Sequence, residues 1–190
     1  MNKNDIKYYL LDLFGHNEII FNQMIYLMNN IINNKSDKPI IHIYGKAENN
    51  KLLFTELMEL LMLPNEFIHL NNLMLYNNIS SWYKDSIKLC FVNNHNPNYF
   101  QNNQTSIINL ATENILCGVK YKTSKVVKPS LKFIIISNYD PIYFTEKFND
   151  NTIHINFNMN EINETYYDNL YNIFKNNKND ILTFIYGYKI

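Results

Sequence analysis

The spacing that could carry chemistry begins at Gly45. Five residues separate it from Lys51, and a β-branched run, Ile40-Ile41-His42-Ile43, leads into it. A working phosphate loop of the form G-x-x-x-x-G-K-[ST] closes backbone N–H groups round the phosphates. Its lysine reaches the β and γ oxygens, and its hydroxyl holds Mg2+. Gly45 and Lys51 fit that form, with Asn50 in place of the second glycine and Leu52 in place of the hydroxyl. Asn50 is a tolerable replacement, because asparagine visits left-handed backbone conformations more readily than other non-glycine residues. Leu52 has no atom that ligates a cation, and Glu48 adds an anion inside an anion cradle. By itself the interval is equally a chance Gly-to-Lys spacing after a strand.

A second cluster lies at 120–128, where Lys120, Lys122, Lys125 and Lys128 surround Tyr121. Four ammonium groups with one stacking ring suit contacts to a single-stranded nucleic-acid backbone. They suit a solvated hairpin equally well. Beyond them, "LKFIIIS" ends in Ser137-Asn138. An asparagine at the carboxyl tip of a central strand stands where a parallel sheet presents ligands.

These residues need elements to hold them. Apolar residues at three- and four-residue steps (Leu10 and Leu13, then Ile20, Met24, Leu27, Met28 and Ile31) predict one or two helices over 5–33, broken near Gly15-His16. Strands are expected at 40–44, 66–70, 87–92, 131–137 and 152–157, and helices over 52–62, 105–116 and 161–174. A last strand or short helix is expected at 181–188. The stretch "NNHNPNYFQNNQ" (93–104) reads as irregular. The runs at 87–92 and 131–137 are nearly all apolar, as in strands buried on both faces. The expectation is an α/β fold with a mostly parallel central sheet, flanking helices and a basic hairpin. An amino-terminal helical segment (1–35) precedes a single globular unit (36–190).

Composition narrows the function. Seventeen basic and seventeen acidic residues leave no formal charge, so affinity for nucleic acid or membrane must be local. All the basic residues are lysine; the chain contains no arginine. Lys, Asn, Ile, Tyr and Phe enriched together match an A/T-rich coding sequence, and each asparagine is read by default as mutational drift. Two cysteines, Cys90 and Cys117, give neither a disulfide framework nor metal spacing, and no apolar run reaches the ~20 residues of a membrane span. A soluble intracellular protein of the host nucleus or cytoplasm is expected. His42 and His69 read as core or edge histidines, and Trp82 with Met24 and Met28 as packing. His95 sits in a loop without a second ligand, so no metal site is expected.

The order Ile115-Leu116-x-Gly118-x-Lys120 with Lys122, then Pro129, then Ile135-Ile136-Ser137-Asn138-x-Asp140, resembles motif C of the superfamily 3 helicases with its preceding B-prime loop. It is most similar to the parvovirus non-structural replication proteins, and "KPIIHIYGKAENNK" is similar to their approach to the phosphate loop. The likeness runs over about residues 19–174. It implies a three-layer P-loop, AAA+-like domain in which Asn138 is the sensor. The lysine loop would project into a ring channel and touch single-stranded DNA. The carboxylate pair of the Walker B strand falls on Asn93 and Asn94, whose amides keep shape but lose charge and cation binding. The arginine finger falls on Asn151. With no arginine in the chain, neither this protein nor a second copy supplies that group, worth ~10³ or more in rate. Lys147 could lend charge without the bidentate fork.

The expected function is therefore a catalytically degenerate superfamily 3 helicase-like protein, nucleotide-binding at most through Gly45, Asn50, Lys51 and Leu52. It is expected to bind single-stranded DNA or to assemble with itself or a replication partner. ATP and Mg2+ are doubtful cofactors. The alternatives are a residual ATP-dependent helicase, drawing an acid from Glu48 or Asp85, and a viral scaffold that binds another protein.

Overall fold

The structure is a computed structural model describing residues 1–33, 35, 38–70, 83–93, 97–113, 115–117, 125–127, 131–141 and 144–188; for 97–103, 115–117 and 125–127 it describes the backbone. The elements in chain order are α1 (Lys3–Leu13), α2 (Glu18–Ile32), β1 (Ile40–Tyr44), α3 (Glu48–Leu61), β2 (Phe67–Leu70), β3 (Leu89–Asn93) and α4 (Pro97–Thr112). They continue with β4 (Ile115–Cys117), β5 (Lys125–Val127), β6 (Lys132–Ile136), α5 (Glu146–Asp150), β7 (Thr152–Asn156), α6 (Glu164–Asn176) and α7 (Lys178–Gly187).

The chain forms two compact units. One contains Met1–Ser36, Gly45–Pro64 and Ile155–Ile190; the other contains Asp37–Tyr44 and Asn65–His154.

The second unit carries the sheet, in the order β2-β3-β6-β1-β7. The pairs β2–β3, β3–β6 and β6–β1 are parallel, with Ile43 and Asn93 both in register with Ile136. This is the mostly parallel sheet expected from the apolar runs. All five residues of β6 are buried, as a strand covered on both faces requires. Against it pack Ile107, Ile108 and Ala111 of α4, with Phe144 and Phe148. β1 is followed in sequence by β2 at the far edge of the sheet, whereas β6 is followed by β7 on the opposite side of β1. The connections thus diverge around β1 and β6, and such a switch point leaves a crevice at the carboxyl ends of the strands. β4 and β5 pair antiparallel, Ile115 with Val127 and Cys117 with Lys125, as the base of the expected hairpin.

The first unit is helical, with an aromatic centre. Phe14 meets Phe21, Phe54 and Phe157 at ring-centroid distances of 6.1–6.3 Å, mostly edge to face.

The last element is a helix, one of the two forms expected, and three elements differ from the sequence reading. α3 begins at Glu48 rather than at 52, and α6 begins at Glu164 behind an Asn163 cap. The largest difference is α4, which starts at Pro97 inside the stretch read as irregular and stops at Thr112, so that Ile115 opens a strand. Proline is at home in a first helical turn, where its missing N–H is no loss. Burial of Gln104, Ile107, Ile108 and Leu110 supplies what a run of asparagines lacks in propensity.

Several asparagines do local work. Asn2, Asn17 and Asn163 are the N-caps of α1, α2 and α6, their side chains accepting backbone N–H bonds at 2.9–3.2 Å. At these positions the drift reading gives way to capping.

Gly45 is required by its backbone. Its φ is +123°, and a Cβ there would lie 2.7 Å from both the carbonyl carbon and oxygen of Phe157. Gly45→Ala is expected to cost about 2–3 kcal/mol in a urea denaturation series.

Candidate functional site

The 45–51 turn lies in the first unit. After Gly45 the chain makes a short link and enters α3, so that Asn50 and Lys51 are already helical. The Lys51 N–H donates to the Ala47 carbonyl at 3.2 Å and is no part of a loop cradle. Lys51 is 1% exposed, and its Nζ donates to the Gly45 carbonyl at 2.6 Å. Burial lowers its pKa, opposed by the carboxylates of Glu48 and Glu161.

Asn50 does not adopt the left-handed conformation expected of a glycine substitute; among the described non-glycine residues, His16 alone has positive φ. Its amide is a buried clamp instead. Nδ2 donates to the Leu13 carbonyl at 2.9 Å, and Oδ1 accepts the Ile162 N–H at 3.0 Å. Leu52 points outward, 39% exposed, beside Asn49, Glu164, Tyr167 and Asp168 along an open groove of roughly 300 Å³.

Ala47, the N-cap residue of α3, has no side-chain acceptor for the helix's first N–H groups. Other parts of the unit provide them. The Phe157 carbonyl accepts the Ala47 N–H at 3.3 Å, and Glu161 Oε1 accepts the Asn49 N–H at 3.0 Å. The Asn49 side chain donates to the Ile162 carbonyl at 2.7 Å.

The strand tips lie in the second unit. Parallel register sets Tyr44, Asn93 and Ser137-Asn138 at the same carboxyl end of β1, β3 and β6, and the Ser137 N–H donates to the Ile43 carbonyl at 3.1 Å. Asn93 and Asn138 are exposed there. Asn151 is at the other end of the sheet: its carbonyl accepts the Ile40 N–H, and its side chain donates to the Lys147 carbonyl, closing α5. Asn94, Lys120, Tyr121, Lys122 and Lys128, with His95 and Trp82, lie outside the described residues. Lys125 is placed by its backbone in β5.

Behind the β6 tip runs a buried polar chain that periodicity does not reveal. His42, 0% exposed, meets Ser137 Oγ through Nε2 at 2.7 Å and His154 Nδ1 through its own Nδ1 at 3.1 Å. His154 Nε2 contacts Asn149 Oδ1 at 2.9 Å. His42 is thus a core histidine, and its partners come from β6 and β7. Between two facing Nδ1 atoms only one hydrogen fits, so the pair accommodates at most one extra proton. Ser137 Oγ also lies 3.1 Å from the Tyr139 carbonyl, which ties the chain to the Asn138 turn.

Chemically, the 45–51 turn has a lysine and a glycine, but the N–H groups of Ala47 and Asn49 and the Lys51 ammonium are engaged within the unit. Among the described residues there is no group of three or more His, Cys, Asp or Glu arranged to hold a metal ion. Among them, too, no helix is long and apolar enough to cross a membrane.

No family model and no curated protein matches this sequence. Solved structures do. The apo C-terminal region of NrS-1 (residues 305–718) superposes with a TM-score of 0.70 at 18% identity, over 97% of this chain and 46% of that one. A second apo crystal form gives 0.70 at 17%, over 97% and 45%. The chain spans less than half the length of these neighbours. At such identity the likeness carries the fold, which is α/β and P-loop-like.

Two outcomes follow from this geometry. Asn50→Ala strands the Ile162 N–H and the Leu13 carbonyl, and is expected to lower stability by about 1–3 kcal/mol, whereas Leu52→Ala changes it by less than about 0.5 kcal/mol; urea midpoints compare the two. Burial first, then the Lys38 charge, lowers the pKa of His154. The unfolded chain therefore binds the extra proton first. Stability is full above the unfolded value near 6.5 and falls as pH drops below it, by up to about 1.4 kcal/mol per pH unit. Denaturation at pH 7.5 and 5.5 reads the slope, which His154→Phe should flatten.

Proposed function

We propose that this chain is the P-loop-type core of a viral replication protein of the superfamily 3 helicase kind, similar to parvovirus replication proteins, that has lost ATP hydrolysis. In this reading it acts by binding single-stranded nucleic acid through the lysine-bearing segment at the β4–β5 hairpin. The observation that carries it is the state of Lys51: the ammonium that should reach a phosphate is held on the Gly45 carbonyl. Support comes from Leu52, an exposed apolar side chain where a hydroxyl should hold Mg2+, and from Asn93, an amide at the tip of β3 where a carboxylate would be needed. The strand order, with the Asn138 strand between β1 and β3, supports the P-loop-type assignment.

The segment 120–128 holds four lysines, whereas Asn93 offers an amide where a carboxylate would be needed. Four phosphate contacts per subunit bind weakly, so the reading includes assembly of several subunits, or of this chain with a replication partner, to raise avidity.

Two assays test the proposal together. Phosphate release from ATP with Mg2+ should stay at the no-protein level, and turnover abolished by Lys51→Ala would overturn the loss of hydrolysis. Single-strand DNA affinity against salt should give a log–log slope near −3, at about −0.7 per phosphate for four lysines, flattening by about half in Lys120→Ala with Lys122→Ala. A flat response in the unaltered protein would instead favour a scaffold that binds another protein.

A further inference from the structure

We propose that residues 156–162 form a strap that closes the 45–51 turn with the protein's own groups, Glu161 serving as an internal anion on the first turn of α3. The inference rests on reading this turn as a former phosphate loop.

Three contacts define the strap. At its start, Phe157 lies against Gly45 so closely that only a hydrogen fits on that Cα, and its carbonyl takes the Ala47 N–H. At its end, Ile162 is held from both sides: its N–H by the buried Asn50 amide and its carbonyl by Asn49 Nδ2. Between them Glu161 places a carboxylate oxygen 3.0 Å from the Asn49 N–H.

A helix start lacking a cap is a natural anion site, because unpaired N–H groups and the helix dipole both attract negative charge. α1, α2 and α6 use an asparagine to answer their own N–H groups, whereas α3 begins behind Ala47 and is answered from the strap. Glu161 also favours the charged form of Lys51 against its desolvation. It therefore acts on the two kinds of donor, backbone N–H and lysine, that a phosphate would use. Phosphate entry requires the strap to lift. Glu161 is exposed, whereas Asn50 is fully buried, so the strap opens from the Glu161 edge while the Asn50 clamp holds.

The test uses the full chain with inorganic tripolyphosphate, without Mg2+, and reads exchange of the Asn49 amide by NMR together with calorimetric titration. In the unaltered protein the amide should be protected and indifferent to tripolyphosphate. In Glu161→Ala it should exchange about fivefold faster. Tripolyphosphate should then bind and restore the protection. Glu161→Gln, which keeps the size and loses the charge, should behave likewise and guards against a folding defect of the alanine variant. Equal binding by all three proteins, binding by none, or unchanged Asn49 exchange in both variants overturns the proposal. ATP hydrolysis by a variant would count against the proposed function and leave the strap standing.

Discussion

The first turn of α3 has backbone donors and no cap of its own, and this constraint organises the first unit. A buried or half-buried N–H left unpaired costs roughly as much as a lost hydrogen bond. The unit answers with atoms far away in sequence: the carbonyl of Phe157 takes the Ala47 N–H and the carboxylate of Glu161 takes the Asn49 N–H. Closeness then forces Gly45, since any Cβ would strike Phe157. It also sets the direction of Asn50, whose amide has to reach both Leu13 and Ile162. Lys51, shut in by the same packing, gives its ammonium to Gly45. A turn with the spacing of a phosphate loop serves here as a structural joint.

In the second unit the constraint is the burial of a parallel sheet. β6 is buried along its whole length, and its tip leaves Ser137 inside. A buried hydroxyl requires partners, and His42 with His154 provides a chain of them out to Asn149. The chain allows one shared hydrogen between two imidazoles, and so fixes their orientation while limiting the protons they can take up. It also reaches the Asn138 turn through the contact of Ser137 Oγ with the Tyr139 carbonyl.

The asparagines show how composition and position separate. As a population they match a bias towards A/T-rich codons. Individually, Asn2, Asn17 and Asn163 cap helices, Asn49 and Asn50 hold the strap, and Asn149 closes the histidine chain. A side chain that both donates and accepts is well suited to such joints.

The amino-acid sequence by itself determined the α/β class, the parallel sheet and most of its strands, because these follow from local alternation and apolar runs at 40–44, 67–70, 89–93 and 132–136. It also determined that the chain holds no arginine and that position 52 carries no hydroxyl, which are matters of residue identity. Helix α4 was hidden, since its start is polar and its stability comes from the core it meets. Only the tertiary structure decided what Asn50, Lys51, Glu161, His42 and His154 do. Their partners lie up to 112 residues away, and hydrogen-bonding atoms carry no periodicity that a linear reading can detect. Hydrophobic pattern is a local signal; polar satisfaction is settled by which distant atoms the fold brings within 3 Å.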